Sequence, residues 1–184
     1  MSSLFPIIYP FEIGQKAPAF ENLQGTDGKQ YSLSTFNDRR IVVLIFMANR
    51  CPTARVYTDR LKSIQTDYAD RGVQLVGINS ENPYFFSIET LDKMIGIAQE
   101  RDFNFPYLKD ADQSVAKKYG ALVTLHAFLL DKERKLRYRG RIDDSRDSAK
   151  VTTNDLRNAL DDVLNNSAVR VPETRPFACT IDYF

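Results

Sequence analysis

The feature that most constrains the fold is an unbroken apolar run that ends shortly before a Cys-Pro pair, Cys51-Pro52. The run covers residues 41–47 and has the sequence IVVLIFM, which predicts a strand buried on both faces and therefore central in a sheet. Residues 48–50 predict a short loop. Because proline is favoured at the first position of a helix, we expect Cys51 to lie at or beside the N-cap of a helix that follows.

A cysteine at the start of a helix faces unpaired backbone N–H groups and the positive end of the helix dipole, which favour thiolate over thiol. The dipole is worth about 0.3–1 kcal/mol, and ~2 kcal/mol in a partly buried site, so it lowers a cysteine pKa by roughly 1.5 units at most. A larger effect requires a nearby cation, for which Arg50 and Arg55 are the candidates. The sequence therefore predicts a reactive thiol at Cys51.

The composition limits the class of protein. With 184 residues, of which 43% are hydrophobic and 27% charged, the chain predicts one soluble globular domain. A net charge of +1 gives no electrostatic argument for nucleic-acid binding. No apolar run approaches the ~18 residues of a membrane span and the N-terminus lacks the features of a signal peptide, so we expect a cytoplasmic protein without membrane contact.

Cysteine and histidine are scarce in this chain. Two cysteines, Cys51 and Cys179, do not make a structural disulfide framework. A single histidine, His126, excludes a histidine cluster for a metal. We therefore expect no metal and no cofactor, and the cysteines are either catalytic or simply buried.

Before Cys51, residues 17–23 and 30–33 flank a Gly-rich turn and predict a β-hairpin. After Cys51, the apolar residues recur at steps of four, three and four, as on one face of an α-helix that ends at Gly72. Residues 73–79 predict a strand parallel to the first, because a strand–helix–strand crossover joins them. The inward residues of the helix are Tyr57, Leu61, Ile64 and Tyr68.

The second half of the chain predicts a helix at 87–103, a short helix at 112–119, and a hairpin of strands at 124–130 and 136–142. A closing helix follows, with an N-terminal arm at 1–16, a main domain at 17–166 and an extended C-terminal tail at 167–184. Parallel strands followed by an antiparallel hairpin and a closing helix are typical of the thioredoxin-like arrangement. The expected fold class is α/β, a central mixed β-sheet flanked by helices.

Several segments, in their order along the chain, resemble the thioredoxin-like superfamily. Within it, the chain is most similar to the peroxiredoxin-like branch of the alkyl hydroperoxide reductase/thiol-specific antioxidant (redoxin) group. The resemblance covers nearly the whole chain, from about residue 14 to 181. The matching segments are GQKAPAF at 14–20, TDGKQYSL at 26–33, VGIN at 76–79, FNFPYL at 103–108, YRGRIDD at 138–144 and the tail from 171 to 179.

This resemblance implies a thiol-based oxidoreductase that reduces peroxides or exchanges disulfides. Cys51-Pro52-Thr53 is similar to the Cys-Pro-Thr of peroxiredoxins, whose cysteine attacks the peroxide O–O bond. Thr53 then either takes part in catalysis or only shapes the helix start. Cys179 is the candidate resolving thiol, which captures a Cys51 sulfenic acid as a disulfide. The implied partners are a peroxide or disulfide substrate and a thiol electron donor such as thioredoxin or glutathione, with a homodimer as a possible assembly.

The sequence also departs from the family pattern near Cys51. Ala48 stands where close relatives carry a cysteine and typical peroxiredoxins a Thr or Ser. Thr124 precedes Leu125 rather than the cis-proline of thioredoxin-like folds, and a non-proline cis bond costs about 2.5–4 kcal/mol, so we expect a trans peptide. These departures leave open an alternative hypothesis, a degenerate redoxin that acts as a non-catalytic interaction module.

Other polar side chains could lie near Cys51, but each also suits a structural role. Typical peroxiredoxins hold an arginine near the Thr124 position, and residues 120–130 contain none. Arg139 and Arg141 lie on one face of the predicted hairpin strand, so one of them could point at the site. His126 could serve as an acid or base, since its strand is expected to adjoin the central strand.

Overall fold

The computed structural model describes residues 7–184 of the chain. Its strands are β1 (Leu23–Gly25), β2 (Gln30–Tyr31), β3 (Ile41–Met47), β4 (Val73–Asn79), β5 (Tyr107–Lys109), β6 (Ala127–Leu130) and β7 (Leu136–Gly140). Its α-helices are α1 (Pro52–Tyr68), α2 (Leu91–Glu100), α3 (Ser114–Tyr119) and α4 (Asp155–Leu164). Within these residues no helix is both long enough and apolar enough to cross a membrane.

The strands form one mixed sheet in the order β2-β1-β5-β4-β3-β6-β7. β3 lies near its centre, parallel to β4 and antiparallel to β6. Every residue of β3 is buried. Its side chains alternate between two apolar clusters, with Val43 and Ile45 on one face and Val42 and Leu44 on the other. The α/β fold with a central mixed sheet, and the buried central strand, are therefore confirmed.

The helix predicted after Cys51 is also confirmed. Cys51 is the N-cap of α1, with Pro52 at the first helical position. The predicted inward residues are all buried in the cluster shared by β3 and α4. A 3-10 turn extends α1, and Gly72 ends it with a φ of 81°, a backbone conformation that glycine adopts without a steric penalty.

The second predicted helix is shorter than expected. Residues Ser87–Glu89 form a separate 3-10 turn, and α2 begins only after Thr90, whose extended backbone (φ −68°, ψ 154°) interrupts the helical path. The apolar residues of this segment are only partly buried: Met94 is fully buried, whereas Ile88 is 41% exposed. The reason lies in Glu89, whose carboxylate is drawn into the interior by polar partners described below.

Two predicted strand boundaries are also wrong. The chain before β1 does not pair as a ladder until Leu23, because Asn22 has a φ of 54° that breaks the extended path. β6 begins at Ala127 rather than 124, because Leu125 has a φ of 61°. No cis peptide bond occurs among residues 7–184, so the Thr124–Leu125 bond is trans, as predicted.

The chain segments outside the predicted main domain pack along β7. Gly14 donates its backbone N–H to Leu136 O at 2.7 Å, and Leu136 N donates to Gln15 O at 2.9 Å. The tail joins the same region, where Arg139 N donates to Pro172 O at 3.0 Å. Residues 1–6 of the predicted arm lie outside the described residues, and the domain boundaries stay a prediction.

Gly140 marks the point where the tail crosses β7, and it tests this packing. Its φ is +148°, and a Cβ there would meet the backbone oxygen of Thr174 at 2.5 Å. Overpacking of this kind costs about 1–3 kcal/mol, so we expect Gly140→Ala to lower the free energy of unfolding by that amount. Urea denaturation measures the change.

The matched control is Gly96→Ala, within α2, where an added Cβ meets nothing within 4 Å. Alanine is a better helix former than glycine, so this variant should gain up to about 1 kcal/mol. Equal stability of the two variants would contradict the close approach of the tail to β7.

Candidate active site

Cys51 lies in the loop-to-helix transition that follows the central strand, and its sulfur is held by two donors of the protein. The residue is only 1% exposed. Ala54 donates its backbone N–H to Cys51 Sγ at 3.4 Å, because it is the third residue of α1 and has no intrahelical partner. Thr124 Oγ1 lies 3.1 Å from the same sulfur, and its hydroxyl donates to it.

Cys179 reaches this site because the tail pairs with the segment before β6. Thr124 N donates to Cys179 O at 2.8 Å, and an isolated antiparallel bridge joins Val123 to Thr180. Cys179 packs against the apolar cluster that contains Cys51, and hydrogen bonding from Cys179 acts to lower the pKa of Cys51. Both cysteines are free thiols, and Cys179 is the more exposed of the two.

The two thiols have opposite tendencies to ionise. Burial acts to raise the pKa of Cys51, but hydrogen bonds from Cys179, Thr124 and Ala54 outweigh it, so the pKa is lowered. Burial, together with the hydrogen bond and the charge of Cys51, raises the pKa of Cys179 to about 11. The pair therefore favours a state with Cys51 as thiolate and Cys179 as the thiol that donates to it.

Thr53 contributes through its backbone rather than its hydroxyl. Hydrogen bonding from its backbone N–H acts to lower the pKa of the Cys179 thiol in part. Pro52 has no N–H, so the next two N–H groups of α1, from Thr53 and Ala54, each face one sulfur.

The loop before Cys51 is fixed by a buried carboxylate that the sequence did not reveal. Glu89 is 0% exposed, and it accepts the backbone N–H of Asn49 at 2.9 Å and of Arg50 at 2.8 Å. The Asn79 side chain donates to the same carboxylate at 2.7 Å. These bonds satisfy the buried charge and set the path of the chain into Cys51. No pattern in the sequence indicates this role, since Glu89 lies in a segment predicted to be an ordinary helix.

Arg50 and Arg55, the two arginines considered as partners of the thiolate, are not among the groups that stabilise the Cys51 thiolate. The guanidinium of Arg50 contacts Asp182 at 2.7 Å and Glu81 at 3.4 Å, and it stacks over the ring of Phe86 at 3.9 Å. Its charge acts to lower the pKa of Cys179, whereas the main influences on Cys51 include neither arginine. Arg55 is exposed, and its backbone N–H makes an ordinary helical bond to Cys51 O at 3.1 Å.

None of the candidates on the hairpin, which are His126, Arg139 and Arg141, lies against Cys51. His126 is buried against Phe128, on the face of the sheet opposite Cys51, with ring centroids 4.4 Å apart. Burial and the charge of Arg139 lower the pKa of His126 to about 3, so this imidazole is neutral at pH 7. Arg139 binds Phe11 O and the Glu12 and Glu173 carboxylates of the arm and tail. Arg141 binds Asp155 at 2.7 Å.

Thr124 supplies the hydroxyl that Ala48 lacks. From the sequence, Thr124 stood out only for its peptide bond to Leu125. The positive φ of Leu125 directs the chain so that Thr124 lies against Cys51 while Leu125 N donates to Phe46 O at 2.6 Å. The donation from the Thr124 hydroxyl to Cys51 could have been proposed from the predicted position of Thr124 beside the active site.

Comparison with known proteins gives a consistent picture. A family model described as AhpC/TSA family matches residues 13–139. The chain is 29% identical over 108 residues to a putative peroxiredoxin of Mycobacterium tuberculosis, covering 59% of this chain and 63% of that protein. It is 27% identical over 111 residues to Peroxiredoxin Bcp of Escherichia coli, covering 60% of this chain and 65% of that protein. The matched region thus spans less than two thirds of the length of these curated relatives.

Solved structures match over more of the chain. A hypothetical protein from Sinorhizobium meliloti is 37% identical with a TM-score of 0.88, covering 95% of this chain and 96% of that one. An uncharacterized conserved protein from Geobacillus kaustophilus is 31% identical with the same TM-score of 0.88, covering 98% and 97%. A peroxidoxin from Mycobacterium tuberculosis, at 22% identity and a TM-score of 0.59, shares the fold and covers 83% and 94%.

The role of the Thr124 hydroxyl can be tested by its removal. Thr124→Val keeps the shape of the side chain but leaves Cys51 without this donor, so the thiolate is less stabilised and the pKa of Cys51 rises. One hydrogen bond of about 0.5–1.5 kcal/mol corresponds to a rise of roughly 0.4–1.1 units. The pH dependence of Cys51 alkylation by iodoacetamide, followed by mass spectrometry, should move to higher pH.

Thr124→Ser is the control, because it keeps the hydroxyl and should keep the midpoint of the wild-type protein. If Thr124→Val and Thr124→Ser showed the same pH midpoint of Cys51 alkylation, the hydroxyl would have no part in activating Cys51.

Proposed function

The chain belongs to the AhpC/TSA family, and from this we propose that it is a thiol-dependent peroxidase in which Cys51 reduces a peroxide and Cys179 resolves the product. The observation that carries the proposal is the pair itself. Two free cysteines that are distant in sequence meet at the start of one helix, and their pKa values are shifted in opposite directions.

In the first step, the Cys51 thiolate attacks one oxygen of the peroxide. An S–O bond forms and the O–O bond breaks, so Cys51 is oxidised to the sulfenic acid. The other oxygen takes up a proton and leaves as an alcohol or as water. Thr124 and the Ala54 N–H hold the attacking sulfur in its ionised form during this step.

In the second step, the Cys179 sulfur attacks the sulfur of the sulfenic acid. An S–S bond forms and the S–O bond breaks, and the hydroxyl leaves as water with the proton that Cys179 gives up. The tail already holds Cys179 against Cys51, so the step requires no long search by the chain. An external thiol donor, such as thioredoxin or glutathione, then reduces the disulfide with two electrons.

The burial of Cys51 places a condition on the first step. Residues 177–179 of the tail pack against the cluster that contains Cys51, and the cysteine is 1% exposed. A peroxide therefore reaches the sulfur only when this part of the tail shifts. The small size of the group that must enter favours a peroxide over a protein disulfide.

A second candidate function is thiol–disulfide exchange. Ala48 removes the partner cysteine from the helix-start motif, and Cys179 provides a second thiol at Cys51 from the tail. A relative at 25% identity, from Bacillus thuringiensis, carries the name thiol-disulfide oxidoreductase ResA. The third hypothesis, an interaction module without turnover, predicts neither reaction. The electron donor, a cytoplasmic location and a homodimer stay predictions.

The proposal is tested by peroxide consumption with dithiothreitol as reductant. Cys51→Ser should reduce consumption to the background of the buffer, because it removes the nucleophile. In the absence of reductant, Cys179→Ser should still react once per chain and accumulate sulfenic acid that dimedone traps, because only resolution is lost. Mass spectrometry of the trapped adduct measures this.

The wild-type protein and both variants are also assayed for reduction of insulin disulfides. Insulin reduction without peroxide consumption would replace the proposal with disulfide exchange. If neither activity depended on Cys51, the chain would not be a thiol oxidoreductase and the interaction module would stand.

A further inference from the structure

We propose that Arg50 and Gln113 form a clasp for residues 182–184 of the tail, and that this clasp positions Cys179 for the resolving step. The inference rests on the proposed function for its chemistry. It assigns to Arg50 a positioning role through the tail, instead of direct stabilisation of the Cys51 thiolate.

Arg50 is held in place by contacts with residues outside the tail. Its backbone N–H is held by Glu89 at 2.8 Å, and its guanidinium stacks over the Phe86 ring at 3.9 Å. From this position it binds the Asp182 carboxylate at 2.7 Å. Because stacking limits the rotamers of the arginine, less conformational entropy is lost when the tail binds.

The side chain of Gln113 binds the backbone of the tail. It is 0% exposed, and its Nε2 donates both to Ser80 O and to Asp182 O at 2.8 Å. Its Oε1 accepts the backbone N–H of Phe184 at 3.0 Å. Gln113 has a φ of 60°, which is uncommon for a residue with a side chain and fixes the direction of the amide at the start of α3.

The clasp lies close enough along the chain to control the thiol. Asp182 follows Cys179 by three residues, a length of chain that spans about 10 Å when fully extended. On the other side of Cys179, Thr174 N donates to Arg139 O at 3.1 Å. Between Cys179 and the clasp, the tail pairs with the segment before β6, through the bridge of Val123 to Thr180 and the bond from Ile181 N to Leu122 O at 3.2 Å. The clasp holds the end of this paired stretch, so its release lets the pairing loosen and the thiol move away from Cys51.

The consequence is a choice between two fates of the sulfenic acid. Attack by Cys179 on the sulfenic acid gives the disulfide. Attack of the sulfenic acid sulfur on a second peroxide gives the sulfinic acid, with a new S–O bond formed, that O–O bond broken and the other oxygen leaving as water or an alcohol. The clasp raises the effective concentration of Cys179 at the site and thus favours the disulfide. Loss of the clasp should slow the second step without slowing the first.

The experiment compares two variants that each remove one carboxylate of the tail. Asp182 binds Arg50 at 2.7 Å and is 47% exposed, and Glu173 binds Arg139 at 2.8 Å and is 45% exposed. Asp182→Ala removes a clasp contact, whereas Glu173→Ala removes an ion pair of the same kind on the other side of Cys179, where backbone hydrogen bonds remain.

We expect Asp182→Ala to form the disulfide about fivefold more slowly than the wild-type protein, from the strength of a partly exposed ion pair. The yield of sulfinic acid per turnover should rise by about the same factor, and the rate of sulfenic acid formation should not fall. Glu173→Ala should match the wild-type protein in the rate of disulfide formation, the yield of sulfinic acid and the rate of sulfenic acid formation. Stopped-flow mixing with peroxide and mass spectrometry measure them.

A second oxidant separates this inference from the proposed function. Diamide, a thiol oxidant, adds to one thiol, and the other thiol displaces it to give the disulfide, so it reports the approach of Cys179 without peroxide chemistry. Slower disulfide formation in Asp182→Ala with diamide supports the clasp even if the chain proves inert to peroxide. Equal rates in the wild-type protein and Asp182→Ala, or equal slowing in Glu173→Ala, would overturn it.

Discussion

The backbone N–H groups at the start of α1 are the constraint on which the site depends. Pro52 removes one donor, and the donors of Thr53 and Ala54 face the sulfurs of Cys179 and Cys51. The first turn of a helix has no partners for such donors within the helix, so sulfur can accept from them, and the N–H of Ala54 favours the thiolate of Cys51. The central strand fixes where this helix begins. The Thr124 hydroxyl and the tail that carries Cys179 are arranged around that point.

The parts of the fold that follow from local sequence could be predicted. The burial of β3, the start of α1 at Cys51 and its end at Gly72 depend on apolar runs, proline and glycine. The second helix was predicted too long because Glu89 is drawn inward by the N–H groups of the loop before Cys51. That contact joins segments 40 residues apart, and no local pattern encodes it.

The candidate nucleophile of the site was predictable from the sequence, whereas the residues that contact it were not. Cys51 follows from its position before Pro52. The meeting with Cys179 depends on the bridge between Val123 and Thr180, and the donation from Thr124 depends on the φ of Leu125. A site without chemistry has no need of a buried carboxylate on the loop and a hydroxyl on the sulfur, so these contacts favour catalysis over an interaction module.

The distance in sequence between the two thiols couples redox state to folding. Positions 51 and 179 are 128 residues apart, and in the chain-entropy model a cross-link over such a loop destabilises the unfolded state by about 5 kcal/mol. The same free energy makes the disulfide of the folded protein harder to reduce than that of the unfolded chain, by about 100 mV. In the proposed cycle, the oxidised protein is therefore the form with the greater resistance to unfolding, and its reductant must supply the free energy that the cross-link adds to the stability of the fold.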